Sequence, residues 1–560
     1  MKKNPSDKQK NIIVLSLLTC FIGCVLLGRM FQIGVMKQVH QTDLVEYAQK
    51  NETRGSIKQA RRGTIFDQSG APIAFDTTSY SVFVTIKSDR SDTPVMKDAD
   101  LTAKVLANYL DLDRDQILEI LTDTTVKQAG FGTAGKNLSA ETKKAIEAEK
   151  LPGVYLVSET TRQYVNDVYA SHLIGFASAA EKKNMLDADV LEGKLGIELA
   201  YDKLLSGKPA SADGILTGHD IYLTLDSKMQ HPLEEILDRY EEQYQPETLH
   251  AYLVELENGK LRAAAQRATF NLNTREGIEQ EWKNLMVEEA YEPGSTIKIL
   301  TMSVAYDQHL YAPGETYQSG SIQVYDQVVK DHNKVGWGRI TFEEGLARSS
   351  NVAMVNLVNR MGSDKWVKKL GEFGFGHTTD FGLQNENPGQ FQFDNPVSQT
   401  MSGFGQGFAA TPIQLLQAYS SVGNQGKMVK VQVVEKKDQQ PQYQTKVLGQ
   451  PISPQAADHI LDLMVDTVEK PYGTAQAFKN PYVSVAAKTG TAQIASSDGR
   501  GYLTGENNYY HSVVAFFPAE NPKYMMYLSM KQPKQTRGLI GSQILGHLFN
   551  EFIRYVVVNP

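Results

Sequence analysis

The chain has 560 residues, with 57 basic against 64 acidic side chains and a formal charge of −7. That length suggests two to four domains at roughly 150 residues each, and the thin acidic balance argues against nucleic-acid binding of the strongly basic kind. Charged residues at 22 % and aromatics at 9 % argue against wholesale disorder, and two cysteines alone, Cys20 and Cys24, exclude a disulfide framework or a Cys-rich metal site.

The first ten residues carry Lys2, Lys3, Lys8 and Lys10 against one acid, Asp7. No charge follows from Ile12 to Leu27, and after Arg29 the apolar character resumes through Phe31, Ile33, Val35 and Met36. A membrane-crossing helix needs about 20 mostly apolar residues. Residues 1–10 therefore read as a cytoplasmic tail and 11–36 as a single transmembrane anchor, with Arg29 snorkelling toward the interface. The remainder then lies outside the membrane, extracellular or periplasmic. A cleaved signal peptide is disfavoured because no alanine precedes Ala48. A lipoprotein reading through Cys24 is disfavoured because the apolar run continues beyond it. The negative mean hydropathy, −0.35, excludes a polytopic membrane protein but not one span.

Tyr80-Ser81-Val82-Phe83-Val84 is rich in β-formers and predicts a strand. Asp100–Leu110 and Arg114–Thr122 have apolar positions at helical spacing. Asp111, Asp113 and Asp115 begin like a calcium loop, yet Gln116 and Thr122 stand where glycine and glutamate are needed, so they read as helix-start acids.

Near Asp220 the pattern changes. Ile221–Leu225 predicts a strand and Ser227–Tyr244 a helix, followed by a hairpin of Ala251–Leu256 and Leu261–Ala265 around Asn258-Gly259. Helices are predicted over Ile297–Tyr306, Phe342–Met361 and Pro412–Val422. Strands are predicted over Val483–Lys488, Ser512–Phe517 and Tyr524–Met530, and a closing helix over Ser542–Tyr555. Hairpin strands early and late with helices between imply an α+β fold, one antiparallel sheet flanked by helices.

Glu292-Pro293-Gly294-Ser295-Thr296-Ile297-Lys298 carries the chemistry. Pro and Gly mark a turn, and a helix beginning near Ser295 sets Ser295 and Lys298 on one face. A serine hydroxyl needs a base to become a nucleophile, and a lysine of depressed pKa can be that base. Alone, Ser-x-x-Lys is a common pattern. Arg348-Ser349-Ser350-Asn351 also reads as a helix cap, and Lys488-Thr489-Gly490-Thr491 as a strand end. Together and in this order they match the set Ser-x-x-Lys, Ser-x-Asn, Lys-Thr-Gly found in penicillin-binding proteins and class A β-lactamases.

The chain resembles a class B penicillin-binding protein, a monofunctional peptidoglycan D,D-transpeptidase, over nearly its whole length. Arg61–Asp67 is similar to the start of the family's N-terminal pedestal, Gly196–Tyr201 with Leu205-Ser206-Gly207 to its later signature, and Thr224-Leu225-Asp226 to the transpeptidase entry. Gly403–Gly407 and Thr411–Leu415 resemble the segment before the Lys-Thr-Gly strand. The resemblance implies residues 37–218 as an elongated pedestal of the dimerisation type and 219–560 as the transpeptidase domain. It implies Ser295 as nucleophile toward the D-Ala-D-Ala carbonyl of a stem peptide, Lys298 as general base and Ser349 as proton relay. Asn351 would hold the donor amide and the lysine, and Lys488 would keep Lys298 neutral. Thr489, Gly490 and Thr491 would bind the donor or a β-lactam, with the N–H groups of Ser295 and Thr491 as oxyanion hole. Ser350 stands where lactamases carry aspartate, which favours a transpeptidase. A carboxypeptidase or lactamase, a β-lactam receptor and a non-catalytic division scaffold are the alternatives. By the same resemblance a glycan-polymerising membrane glycosyltransferase is the expected partner. No metal is expected, since the 11 histidines show no paired ligand spacing, and no cofactor, since no phosphate loop is present.

Overall fold

A computed structural model describes residues 59–558 except 91, 124, 180–190, 207, 210–214, 394, 438–443, 495–500, 504 and 506, together with the short pairs Gln38–Val39 and Thr42–Asp43. The expected tail and anchor, residues 1–36, lie outside the described residues. Among those described, no helix is long and apolar enough to cross a membrane.

The N-terminal part is built on two long antiparallel strands, Pro72–Thr85 and Val154–Tyr164, paired from Ala74↔Tyr164 to Val84↔Val154. The predicted strand around Tyr80 is the middle of the first. Beyond it, helices Ala99–Leu106, Arg114–Thr122 and Ala140–Ala148 close a small core around Val82, Val84, Leu106, Ile117 and Leu121. The first helix stops four residues short of the predicted Leu110, continuing in turns.

The two N-terminal signatures meet in a buried ionic knot. Arg62 reaches Glu198 and Asp202, both at 2.6 Å, and Arg162 reaches Glu198 at 2.7 Å and Asp76 at 2.9 Å. Charges this deeply buried are tolerated only when paired, so the motif residues hold one another in register. Strand Ile221–Leu223 then pairs parallel to Ile65–Phe66 and antiparallel to Val434–Lys437, tying this part to the rest.

The C-terminal part is a five-stranded antiparallel sheet. Its order is Lys260–Arg267, Thr248–Glu255, Tyr524–Lys531, Tyr509–Phe517, Ala486–Gln493. Helices Ser227–Tyr244 and Gly541–Val558 cover one face through Leu233, Leu237, Leu548 and Phe552 against Ala251, Leu253 and Val513. Lys298–Asp307, Asn351–Met361, Pro412–Gly423 and Pro454–Glu469 cover the other, against Tyr252, Val514 and Phe516. Both faces are buried, which is why these strands read as apolar runs instead of alternating ones.

Two predicted boundaries are corrected. The helix expected over Phe342–Met361 is two, Phe342–Ala347 and Asn351–Met361, because Ser349 takes a left-handed φ of 60° and the Ser350 hydroxyl caps the second helix at Ala353 N. The strand expected over Val483–Lys488 runs instead over Ala486–Gln493, so Lys-Thr-Gly-Thr lies within the strand and does not end it. Its ladder with Tyr509–Phe517, from Ala486↔Phe516 to Gln493↔Tyr509, overrides the weak strand preference of Gly490 and Ala492.

Candidate active site

Ser295 lies in a single 3-10 turn, Gly294–Ile297, and Lys298 opens the helix Lys298–Asp307. Residues three apart eclipse in 3-10 geometry, so serine and lysine face the same way. Gly294 has a φ of +58° and donates its N–H to Gly405 O at 3.0 Å. A Cβ on Gly405 would meet Gly294 O at 2.0 Å, so this approach of two backbones requires glycine. Thr296 is buried; its hydroxyl donates to Pro293 O and accepts from Tyr419 OH, both at 2.8 Å. The nucleophile turn is thus held from below, while Ser295 itself is half-buried.

Lys298 is fully buried, and its Nζ donates to Ser349 O at 2.7 Å, Asn351 Oδ1 at 2.7 Å and Ser349 Oγ at 3.2 Å. Burial holds its pKa well below the ordinary lysine range, and the nearby Lys488 lowers it further. Lys488 is equally buried; its Nζ reaches Ser349 Oγ at 3.0 Å and Thr489 O at 2.7 Å, and burial brings its pKa down to about 7.

Lys488, Gly490 and Ala492 point toward the nucleophile turn, since side chains alternate along a strand. A Cβ on Gly490 would meet Ser512 Oγ at 2.5 Å, Thr296 Cγ2 at 3.1 Å and Pro293 O at 3.3 Å, so only glycine lets the strand lie against Ser295's turn. Thr489 and Thr491 lie on the opposite side. The Thr489 hydroxyl donates to Thr474 Oγ1 at 3.0 Å and is nearly buried, whereas Thr491 is exposed. The strand is the last in the sheet order, at its edge, with Tyr509–Phe517 as its neighbour.

All eight residues singled out in the sequence come together around this edge. Several partners were not singled out. Asp331 accepts from the Ser350 hydroxyl at 2.8 Å, Thr474 receives Thr489, and Tyr419 braces Thr296. Glu292 was quoted only as part of the motif; it accepts from Gly407 N at 2.8 Å and from Tyr502 OH at 3.2 Å, joining three segments beside the nucleophile. Tyr419 lies 123 residues from Thr296 along the chain, so no local pattern marks it. Only the Asp331-His332-Asn333 sequence just before a glycine-containing loop offered a signal. A serine on the same side of the turn as a buried lysine of depressed basicity, with a second amine nearby, offers a nucleophile and a base.

Comparison with known proteins gives the same direction. The penicillin binding protein transpeptidase domain matches residues 250–553, and the penicillin-binding protein dimerisation domain matches 57–214. Stage V sporulation protein D of Bacillus subtilis is 28 % identical over 94 % of this chain and 83 % of its own length. Peptidoglycan D,D-transpeptidase FtsI of Escherichia coli is 25 % identical over 96 % and 91 %. The crystal structure of penicillin binding protein 2X from Streptococcus thermophilus superposes with a TM-score of 0.74 at 28 % identity, covering 89 % of this chain and 79 % of that one. The chain is a transpeptidase that belongs to the penicillin-binding protein family, with the family's dimerisation domain ahead of its transpeptidase domain.

Proposed function

We propose that the protein is a membrane-anchored peptidoglycan D,D-transpeptidase working through a Ser295 acyl-enzyme. Lys298 takes the Ser295 proton as Oγ attacks the carbonyl carbon between the last two D-alanines of a stem peptide. The N–H groups of Ser295 and Thr491 hold the oxyanion. Collapse breaks the C–N bond, and the departing D-alanine amine receives a proton relayed through Ser349. An amine of a neighbouring stem then attacks the ester, gives up its proton to Lys298 and leaves a new amide with Ser295 free. Asn351 orients the donor amide, and Lys488, Thr489, Gly490 and Thr491 line the position of its terminal carboxylate. A β-lactam enters the same route and stays as a stable ester.

The observation that carries this reading is the convergence of Lys298 and Lys488 on Ser349 Oγ, at 3.2 and 3.0 Å. Burial and the neighbouring Lys488 depress the basicity of Lys298, as a general base requires. Residues 11–36 serve as the anchor with the N-terminus cytoplasmic, residues 37–218 as the pedestal and 219–560 as the catalytic domain. A membrane glycan-polymerising glycosyltransferase is the partner that would supply uncross-linked strands.

Two measurements test this. A fluorescent penicillin should label the wild-type protein and leave Ser295→Ala unlabelled; persistent labelling of that variant refutes the nucleophile. Labelled stem peptides should yield cross-linked dimers. Trimmed monomers alone would make the enzyme a carboxypeptidase.

A further inference from the structure

The mechanism above leaves one buried charge near the site unused. Asp331 is 1 % exposed and follows the hairpin of Ser321–Val324 and Gln327–Lys330. Its Oδ1 accepts from the Ser350 hydroxyl at 2.8 Å and from Val352 N at 3.1 Å; its Oδ2 accepts from Gly320 N at 2.8 Å. These bonds grip the two residues that flank Asn351, on the segment whose Ser349 backbone has a φ of 60°. A serine in the left-handed region is strained and stays there only if its surroundings hold it. Ser349 O and Asn351 Oδ1, the two acceptors of Lys298 at 2.7 Å, are therefore placed by this grip.

We propose that Asp331 is a positioning residue of the reaction, holding the Ser349–Asn351 segment against Lys298 and supplying a negative charge that opposes the burial of Lys298. The inference rests on the reading of Lys298 as the base. Without an opposing charge, burial and Lys488 would depress the basicity of Lys298 until it held the serine proton poorly. The Asp331 carboxylate acts in the opposite sense on Lys298. The other groups facing Lys298 are Lys488 on the edge strand and His332 beside Asp331, whose imidazole is pushed down by burial and by both lysines. Arg348, next in sequence to Ser349, is paired with Glu344 at 2.7 Å.

The test is the pH dependence of acylation by a fluorescent penicillin. Asp331→Asn keeps an oxygen for Ser350 and Val352 but turns an amide toward Gly320 N, losing one bond and the charge. The acid limb reports loss of a proton from Lys298, and removing a negative charge makes that proton easier to lose. The limb should therefore move to lower pH by about 1, while the alkaline limb, set by Lys488, stays in place. A His332→Gln background, which removes the imidazole's own titration, should show the same displacement. Ser350→Ala removes the grip without changing charge, and should lower the rate at every pH with no displacement. If the Asp331→Asn profile is the wild-type profile scaled down, the electrostatic role is refuted.

A second readout needs no acylation, so it stands even if Lys298 is not the base. Thermal unfolding of Asp331→Asn, Lys298→Met and the double variant should be non-additive at mildly acidic pH and become additive at alkaline pH, where Lys298 is neutral. Additivity at both would refute the coupling.

Discussion

Lys298 and Lys488 end on a single atom: both amines donate to Ser349 Oγ, at 3.2 and 3.0 Å. They arrive from a helix start and an edge strand 190 residues apart in sequence, and each is fully buried. Two ammonium groups that close in a water-poor site repel, which depresses the basicity of Lys298. For Lys298 burial is the larger cause of its depressed basicity and the proximity of Lys488 the second.

Replacing Lys298 by alanine should slow acylation by about 10²- to 10⁴-fold, the usual weight of a general base. The far-ultraviolet circular dichroism should be unchanged, since the substitution removes a desolvated amine and leaves the helix Lys298–Asp307 a strong helix former. Stopped-flow acylation at an unchanged rate in a folded variant would remove Lys298 from the mechanism.

Lys488 should make the protein less stable while making it active. Its folded-state pKa is about 7 against 10.5 for a free lysine, so between those values the unfolded chain binds the extra proton and stability rises with pH. Below about 7 both states are protonated and the full cost of burying the charge is present. Lys488→Met should therefore melt higher than wild type under acidic conditions, by a margin that shrinks toward alkaline pH, and should acylate poorly. Differential scanning calorimetry across that window checks it; a margin independent of pH would contradict the assignment.

Gly490→Ala should cost about 1–3 kcal/mol, typical of overpacking, and slow acylation. The added methyl meets Ser512 Oγ at 2.5 Å and crowds Thr296 at 3.1 Å. Adding Ser512→Ala removes the closest contact and should restore part of the lost stability in urea unfolding. Failure of that rescue would point to a constraint on the backbone instead of the side-chain space.

The two threonines of the edge strand should differ. Thr491 is exposed toward the outer side, whereas the Thr489 hydroxyl is engaged by Thr474 at 3.0 Å. Thr491→Val should therefore slow acylation by a carboxylate-bearing β-lactam with little effect on melting. Thr489→Val should lower melting as well, because it leaves the half-buried Thr474 hydroxyl without its donor. Comparing melting temperature with acylation rate for each variant separates the two.

Much of the fold was legible because local patterns and tertiary demands agreed. The helix over Ser227–Tyr244 has the predicted boundaries, and the early hairpin begins at Thr248 instead of Ala251 and ends at Arg267 instead of Ala265. Agreement failed at the site. The Phe342–Met361 stretch has apolar residues at helical spacing on both sides of Arg348–Asn351, yet it breaks where Asp331 and Lys298 hold the Ser349–Asn351 segment. Ala486–Gln493 contains glycine and small residues of poor strand preference, yet its partner strand makes it a strand.

The sequence by itself determined which side chains are the candidates for the chemistry, because motif order survives whatever the chain does between motifs. It also determined the helices and strands whose apolar periodicity is read one residue at a time. Only the tertiary structure decided that Lys298 and Lys488 share one acceptor, that Asp331 and Tyr419 brace the site, and that Gly490 must lack a side chain. Those facts depend on atoms brought within a few ångströms from segments far apart in sequence, where burial and charge act through space and leave no periodic trace along the chain.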